Sequence, residues 1–181
     1  MNKLLQIACG SVYTDSGAVV DFDVSNRLST VAEVIEEASH KVLIFAPFRH
    51  TIQLLHAYLT KAGVECECIH GDVPVHARTN IFKRFQEDNN SLKVLIIQPQ
   101  AAAHGVTLTA ADTIIWYAPV TSTETYLQAN ARIDRPGQRN AMTIIHIEGS
   151  PVERKLYYML RNNINNHEKV VELYRKEMEE T

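Results

Sequence analysis

A chain of 181 residues, 45% hydrophobic and 22% charged with seven Gly and six Pro, has the make-up of one folded domain with room for appended helices. That excludes a linker-rich or low-complexity protein, and a chain this long buries roughly two-thirds of its unfolded surface without needing a disulfide staple. A net charge of −3, from 18 basic and 21 acidic side chains, supplies no global pull toward nucleic acid or membrane, so any nucleic-acid site has to be local.

Three cysteines, Cys9, Cys66 and Cys68, are too few for a zinc site or a disulfide framework and read as reduced thiols. No apolar run approaches the ~18 residues that span a bilayer. Residues 1–10 lack the apolar core of a signal peptide. The expected location is the cytoplasm, with no membrane partner.

In chain order, residues 1–24 carry Gly10, Gly17 and several Asp and Ser, and read as a loop or hairpin. Ser25 is placed to cap a helix over 26–39 that turns Leu28, Val31 and Ile35 inward. Residues 41–46 form an all-apolar strand of the kind buried in parallel sheets. A helix over 49–62 follows, with Ile52, Leu55, Leu59 and Ala62 at helical spacing, and Gly63 stops it. Strand 64–69, helix 76–87 with Ile81 and Phe85 four apart, strand 93–97, strand 113–117, helix 122–133 and strand 142–147 complete the series. This alternation predicts an α/β fold, a parallel sheet with helices on both faces. Trp116 and Tyr117, ending a strand, read as core and rim.

Ser150, Pro151 and Glu153 make a capping box with Pro at the first helical position. The helix that follows carries Val152, Leu156, Met159 and Leu160. A later stripe, Ile164, Val171, Tyr174 and Met178, either docks on this domain or braces against another lobe. The predicted division is residues 1–24 as a connecting hairpin, 25–150 as the α/β lobe, and 151–181 as a C-terminal helical extension.

Several familiar active-site signatures are missing from the chain. No strand is followed by a phosphate loop ending in Gly-Lys-Ser/Thr, and neither G-x-G-x-x-G nor G-x-S-x-G occurs. The eight His show no metal-ligand spacing, so no metal site is expected. What stands out is residues 128–138, which read Q-A-N-A-R-I-D-R-P-G-Q. Gln128, Arg132 and Arg135 fall at i, i+4 and i+7, one face of a helix that Pro136 should end near Arg135. Two guanidinium forks there suit bidentate capture of a phosphate and keep their charge at any working pH. The alternative is a solvated face paired with Asp134.

This run resembles motif VI of superfamily-two helicases, in the Q-A-x-x-R-x-x-R-x-G-Q form of the Swi/Snf-type DNA translocases. Residues 41–50 resemble motif IV. His70, Gly71 and Asp72 with Arg78 and Phe85 resemble the segment after it, and residues 99–112, with H-G-V-T-L-T at 104–109, resemble motif V. Pro99, His104, Gly105 and the Q-A-N-A-R run are most similar to the phage-encoded branch.

The resemblance implies a RecA-like, three-layer C-terminal lobe with C-terminal helices. In such motors ATP lies between two lobes, and the first supplies the phosphate loop, the Mg²⁺ carboxylate and the general base. The second lobe supplies arginine fingers. By this resemblance Arg132 and Arg135 are the catalytic fingers, and Gln128, Gly105 and Thr107 border the nucleotide. Arg49, His50, His70, Gly71 and Arg78 fall on or beside positions that hold DNA backbone phosphates, which carry no sequence information. For His50, His70 and Arg49, ordinary roles on surface loops or at a helix start are the alternative.

ATP and Mg²⁺ are therefore expected only with an N-terminal RecA-like lobe, and this chain alone is expected to be inactive. Thr107 stands where the family usually has Asn and lacks its amide donor. Ala102 and Ala103 replace a Gly pair and stiffen the loop, and Pro136 replaces an aliphatic residue. A stand-alone DNA- or protein-binding module, and an unrelated small-molecule enzyme on a similar sheet, are the rival readings. The paired arginines have no use in the first, and the second lacks nucleophile, metal and cofactor motifs.

Overall fold

Five short apolar segments, β3 (Lys41–Phe45), β4 (Cys66–Ile69), β5 (Val94–Ile97), β6 (Ala111–Trp116) and β7 (Thr143–His146), pair in parallel in the order β4-β5-β3-β6-β7 in the computed structural model, which describes residues 2–14, 18–103 and 106–162. Their side chains alternate between two cores. On one face Leu43, Phe45, Leu95, Ile97, Ile114 and Trp116 pack with α4 (Val75–Gln86), α5 (Thr123–Asn130) and α6 (Pro151–Arg161). On the other, Val42, Ile44, Val94, Ile96, Ile115 and Tyr117 pack with α2 (Ser25–Glu37) and α3 (Arg49–Lys61). The result is the expected three-layer, RecA-like arrangement, and Trp116 and Tyr117 are both fully buried.

Lysines tie the helix ends to the sheet. Lys41 Nζ donates to the carbonyls of Phe85 and Glu87 at the end of α4, both at 2.8 Å. Lys93 Nζ donates to Ala38 O, beyond α2, at 2.6 Å. Cations there complement the free carbonyls and the negative end of the helix dipole.

Three local expectations change. Residues 1–24 hold the expected hairpin, β1 (Ser11–Tyr13) antiparallel to β2 (Val19–Asp21), but also an unexpected helix, α1 (Asn2–Ala8). Leu5 of α1 is buried in a cluster with Val152, Leu156 and Met159 of α6, so the helix depends on a contact from the far end of the chain. Ser25 does not cap α2. It is already helical, and its N–H is taken by the Asp23 carboxylate at 2.9 Å. The helix expected over 122–133 stops at Asn130, for reasons that belong to the site below.

At α6 the capping box is present. Ser150 Oγ accepts the Glu153 N–H at 3.2 Å, and Pro151 opens the helix. All four expected inward residues, Val152, Leu156, Met159 and Leu160, are buried, as is Tyr157, whose hydroxyl donates to Trp116 O at 3.0 Å. The stripe Ile164, Val171, Tyr174 and Met178 lies outside the described residues. Cys9, Cys66 and Cys68 are free thiols, and burial pushes the first and last up to about 12.

A ladder of rings, Phe45–Trp116–Tyr126–His146–Tyr157, runs between the sheet, α5 and α6 with neighbouring centroids 4.4–5.9 Å apart. Tyr126 Oη and His146 Nε2 share a hydrogen bond of 3.0 Å. Burial, then the Arg161 charge, lowers His146 from 6.5 to about 4, only partly opposed by Glu148. Between those values the unfolded chain takes up a proton that the folded chain refuses. The contribution of neutral His146 is therefore complete above pH 6.5 and is lost as pH falls from 6.5 to about 4. His146→Phe is expected to flatten the dependence of melting temperature on pH across that window, as followed by circular dichroism.

Candidate functional site

Loops that follow parallel strands gather at the C-terminal edge of a sheet, and segments that precede strands gather at the opposite edge. This divides the expected site residues into two groups. Arg49 and His50 begin α3 directly after β3, and His70 and Gly71 follow β4, so these four share the C-terminal edge. The segment of Arg132 and Arg135 is tied instead to the entry of β6. Arg132 O accepts the Leu108 N–H at 2.9 Å, and Gln138 Nε2 donates to Ala111 O at 2.8 Å and to Ile133 O at 3.4 Å. Thr107, half-buried, adjoins Leu108. Gly105 lies outside the described residues.

Both arginines leave from a folded turn, not from a helix, which corrects the expectation of one helical face. After Asn130 the backbone tightens: the N–H groups of Arg132 and Ile133 bond to Ala129 O and Asn130 O, three residues back. Pro136 then disfavours helix at Arg135, and Gly137 takes φ +107°, a conformation that suits glycine. With the helix ended, Gln128 is left exposed, and its amide donates to Glu124 Oε1 at 2.9 Å.

Arg132 is 6% exposed, and its Nε is buried without a hydrogen-bond partner. Burial and then the Arg135 charge lower its pKa, though a guanidinium this basic stays charged. Arg135, half-buried, donates from Nε to Ala131 O at 3.1 Å. Among the described residues neither arginine meets a carboxylate, Asp134 included. A buried cation with an unused N–H beside a second cation is costly unless an anion completes it.

At the other edge the cations already have protein partners. Arg49 pairs with Asp72, and His50 Nε2 meets Asp21 Oδ1 of the hairpin at 3.1 Å. Arg78 wraps its guanidinium around the loop after β4, donating to the carbonyls of Val73 at 2.7 Å, Gly71 at 2.8 Å and His70 at 3.1 Å. It holds the loop in shape. His70 Nδ1 is buried without a partner.

Residues 26–137 match the family described as helicase conserved C-terminal domain. The chain belongs to that family. This helicase C-terminal domain is of the superfamily-two, Swi/Snf-like kind. It is 31% identical over 131 residues to the CHD3-type chromatin-remodeling factor CHR7 of Arabidopsis thaliana, covering 72% of this chain and 11% of that protein. It is 30% identical over 109 residues to the ATP-dependent DNA helicase DDM1 of the same plant, covering 60% of this chain and 14% of that protein. The domain thus spans a small part of the relatives it matches. Among solved structures, the C-terminal part of the Fun30 ATPase domain superposes with a TM-score of 0.68 at 20% identity, covering 77% of this chain and 52% of that one, a likeness of fold.

The motif order that carried the resemblance therefore identified the family. It did not point to the residues that fix the arginine turn. Asn130 and Gln138 both bond to the sheet, and Gln138 is legible only as the last letter of the motif. Among the described residues no three His, Cys, Asp or Glu side chains converge to hold a metal ion. No helix among them is long and apolar enough to cross a membrane.

Proposed function

We propose that this helicase C-terminal domain is the second lobe of an ATP-dependent DNA helicase or translocase. In this reading Arg132 and Arg135 act on the phosphates of ATP held by an N-terminal RecA-like lobe. The observation that carries it is the buried, partnerless Nε of Arg132 beside Arg135: an anion is the ligand this pair lacks. Charge developing on a transferring phosphoryl group is what such a pair stabilises, commonly by ~10³–10⁵ in rate. The phosphate loop, the Mg²⁺ ligands and the base are assigned to the first lobe, with Gln128, Gly105 and Thr107 bordering the nucleotide from this side.

The C-terminal edge is assigned to DNA. His70 and Gly71 present a loop that Arg78 keeps in place, with Arg49 and His50 at the adjoining helix start. Contacts to backbone phosphates bind without sequence preference and weaken with salt. Separate edges for nucleotide and DNA let closure of the lobes on ATP move the DNA-bearing edge. Pro99, His104, Gly105 and the Q-A-N-A-R run place the chain, in our reading, nearest the phage-encoded branch.

Purified alone, the chain is expected to hydrolyse ATP no faster than a blank, with or without DNA. A separately prepared first lobe of a Swi/Snf-type motor should restore DNA-stimulated phosphate release. Robust hydrolysis by the chain alone would refute the assignment.

A further inference from the structure

We propose that Asn130 is a positioning residue for the arginine pair, an inference that rests on reading Arg132 and Arg135 as the groups that meet the nucleotide. Asn130 is the last residue of α5; its side chain, which also lies beside the Tyr126 hydroxyl, and its backbone carbonyl each accept a bond. Its Oδ1 accepts the indole N–H of Trp116 at 2.9 Å, and its backbone carbonyl accepts the Ile133 N–H at 3.3 Å. Trp116 is a fixed anchor: it is fully buried, paired into the sheet between β3 and β7, and flanked by the rings of Phe45 and Tyr126. Ile133 is fully buried as well.

At the last residue of α5 no other side chain sets the direction in which the chain leaves; the bonds of Gln138 to Ala111 and of Arg132 O to Leu108 hold the turn further on. The residue after Asn130, Ala131, has φ −63° and ψ 0°, so no left-handed glycine closes the helix there. No basic side chain lies in the last turn. The Asn130 side chain does this by pinning the helix end to the sheet two residues before Arg132. The buried indole N–H requires an acceptor, since a buried donor left unpaired is costly, and Asn130 is the group that meets the requirement. A catalytic group displaced by about 1 Å loses roughly 10²-fold in rate. A loosened anchor at Asn130 therefore acts on the chemistry through Arg132, without contact with ATP.

The acceptor oxygen is the feature that matters, which separates two near-isosteric variants. Asn130→Leu removes it, and Asn130→Asp keeps it. Trp116 is the only tryptophan, so one indole N–H resonance reports the bond in the full chain. In Asn130→Leu, hydrogen exchange of that indole and of the amides over 131–137 is expected to quicken at least tenfold, while β3 and β5 exchange as in the wild type. Asn130→Asp should exchange as the wild type does.

With the first lobe added, Asn130→Leu should lower kcat ~10–10²-fold with KM for ATP within about twofold, and Asn130→Asp should restore kcat. Unchanged exchange in Asn130→Leu would overturn the anchor. So would an unchanged kcat in Asn130→Leu under conditions where Arg132→Ala abolishes turnover. An active Arg132→Ala would instead overturn the reading of the arginines, and the positioning role with it.

Discussion

Arg132→Ala is expected to reduce ATP hydrolysis by the two-lobe motor by ~10³-fold or more while the melting temperature of the domain holds or rises. The two effects part because Arg132 serves the fold poorly. It is buried with an unpaired Nε and has Arg135 as a cationic neighbour, so truncation removes a cost as well as a packing surface. Arg132→Lys should not rescue the rate, since a point ammonium cannot present the planar fork. Arg135→Ala should give a loss of the same order. Its Nε bond to Ala131 O is a local contact that the fold can lose. A drop in stability without a loss of rate would mark Arg132 as a structural residue.

Glu153→Ala is expected to cost about 3–5 kcal/mol, because it strands a buried guanidinium. Both Glu153 oxygens accept from Arg27 Nη2, at 2.7 and 2.8 Å, and Arg27 Nη1 donates to Tyr117 O at 2.9 Å. Glu153 also accepts the Gly149 N–H at 2.8 Å and the Ser150 hydroxyl at 3.2 Å. The pair joins α2 to the start of α6 over the end of β6, with Arg27 9% and Glu153 1% exposed. At ~2–4 °C per kcal/mol for a domain of this size, the melting temperature should fall by roughly 6–20 °C. Arg27→Met combined with Glu153→Leu should recover part of that loss, because neither charge is then stranded. Losses that simply add across the two sites would contradict a coupled pair.

The centre of the sheet was readable from the chain because β3 and β5 are short apolar runs that need no tertiary information, and Val42 to Phe45 and Val94 to Ile97 are buried at every position. The end of α5 was not readable. Ala131, Arg132 and Ile133 continue a helical pattern, and what stops the helix is a set of bonds to distant residues: Asn130 to Trp116, Gln138 to Ala111, and Arg132 O to Leu108. The same holds for α1, which buries Leu5 against α6, and for Arg27, whose partner is 126 residues away.

The arginines were singled out by motif order, while the helical face implied by their spacing gives way to a turn after Asn130. Their separation from Arg49 and His70 followed from topology, since a segment entering a strand and one leaving a strand lie at opposite edges. The partners of the second group were hidden. Arg49 with Asp72, and Arg78 with three loop carbonyls, are held within the protein, so in the proposed reading the loop's shape, more than free positive charge, is what it would offer to DNA.

Association of the two lobes in the presence of ADP and aluminium fluoride, a mimic of the transferring phosphoryl group, probes the shared site without relying on turnover. In sedimentation velocity, the wild-type chain and a first lobe should run as a complex with the mimic and separately with ADP alone. The Arg132→Ala and Arg135→Ala chains should run separately in both. A complex that forms equally well with both arginines removed would contradict their contact with the nucleotide, and with it the assignment of this domain as the half of the motor that completes the active site.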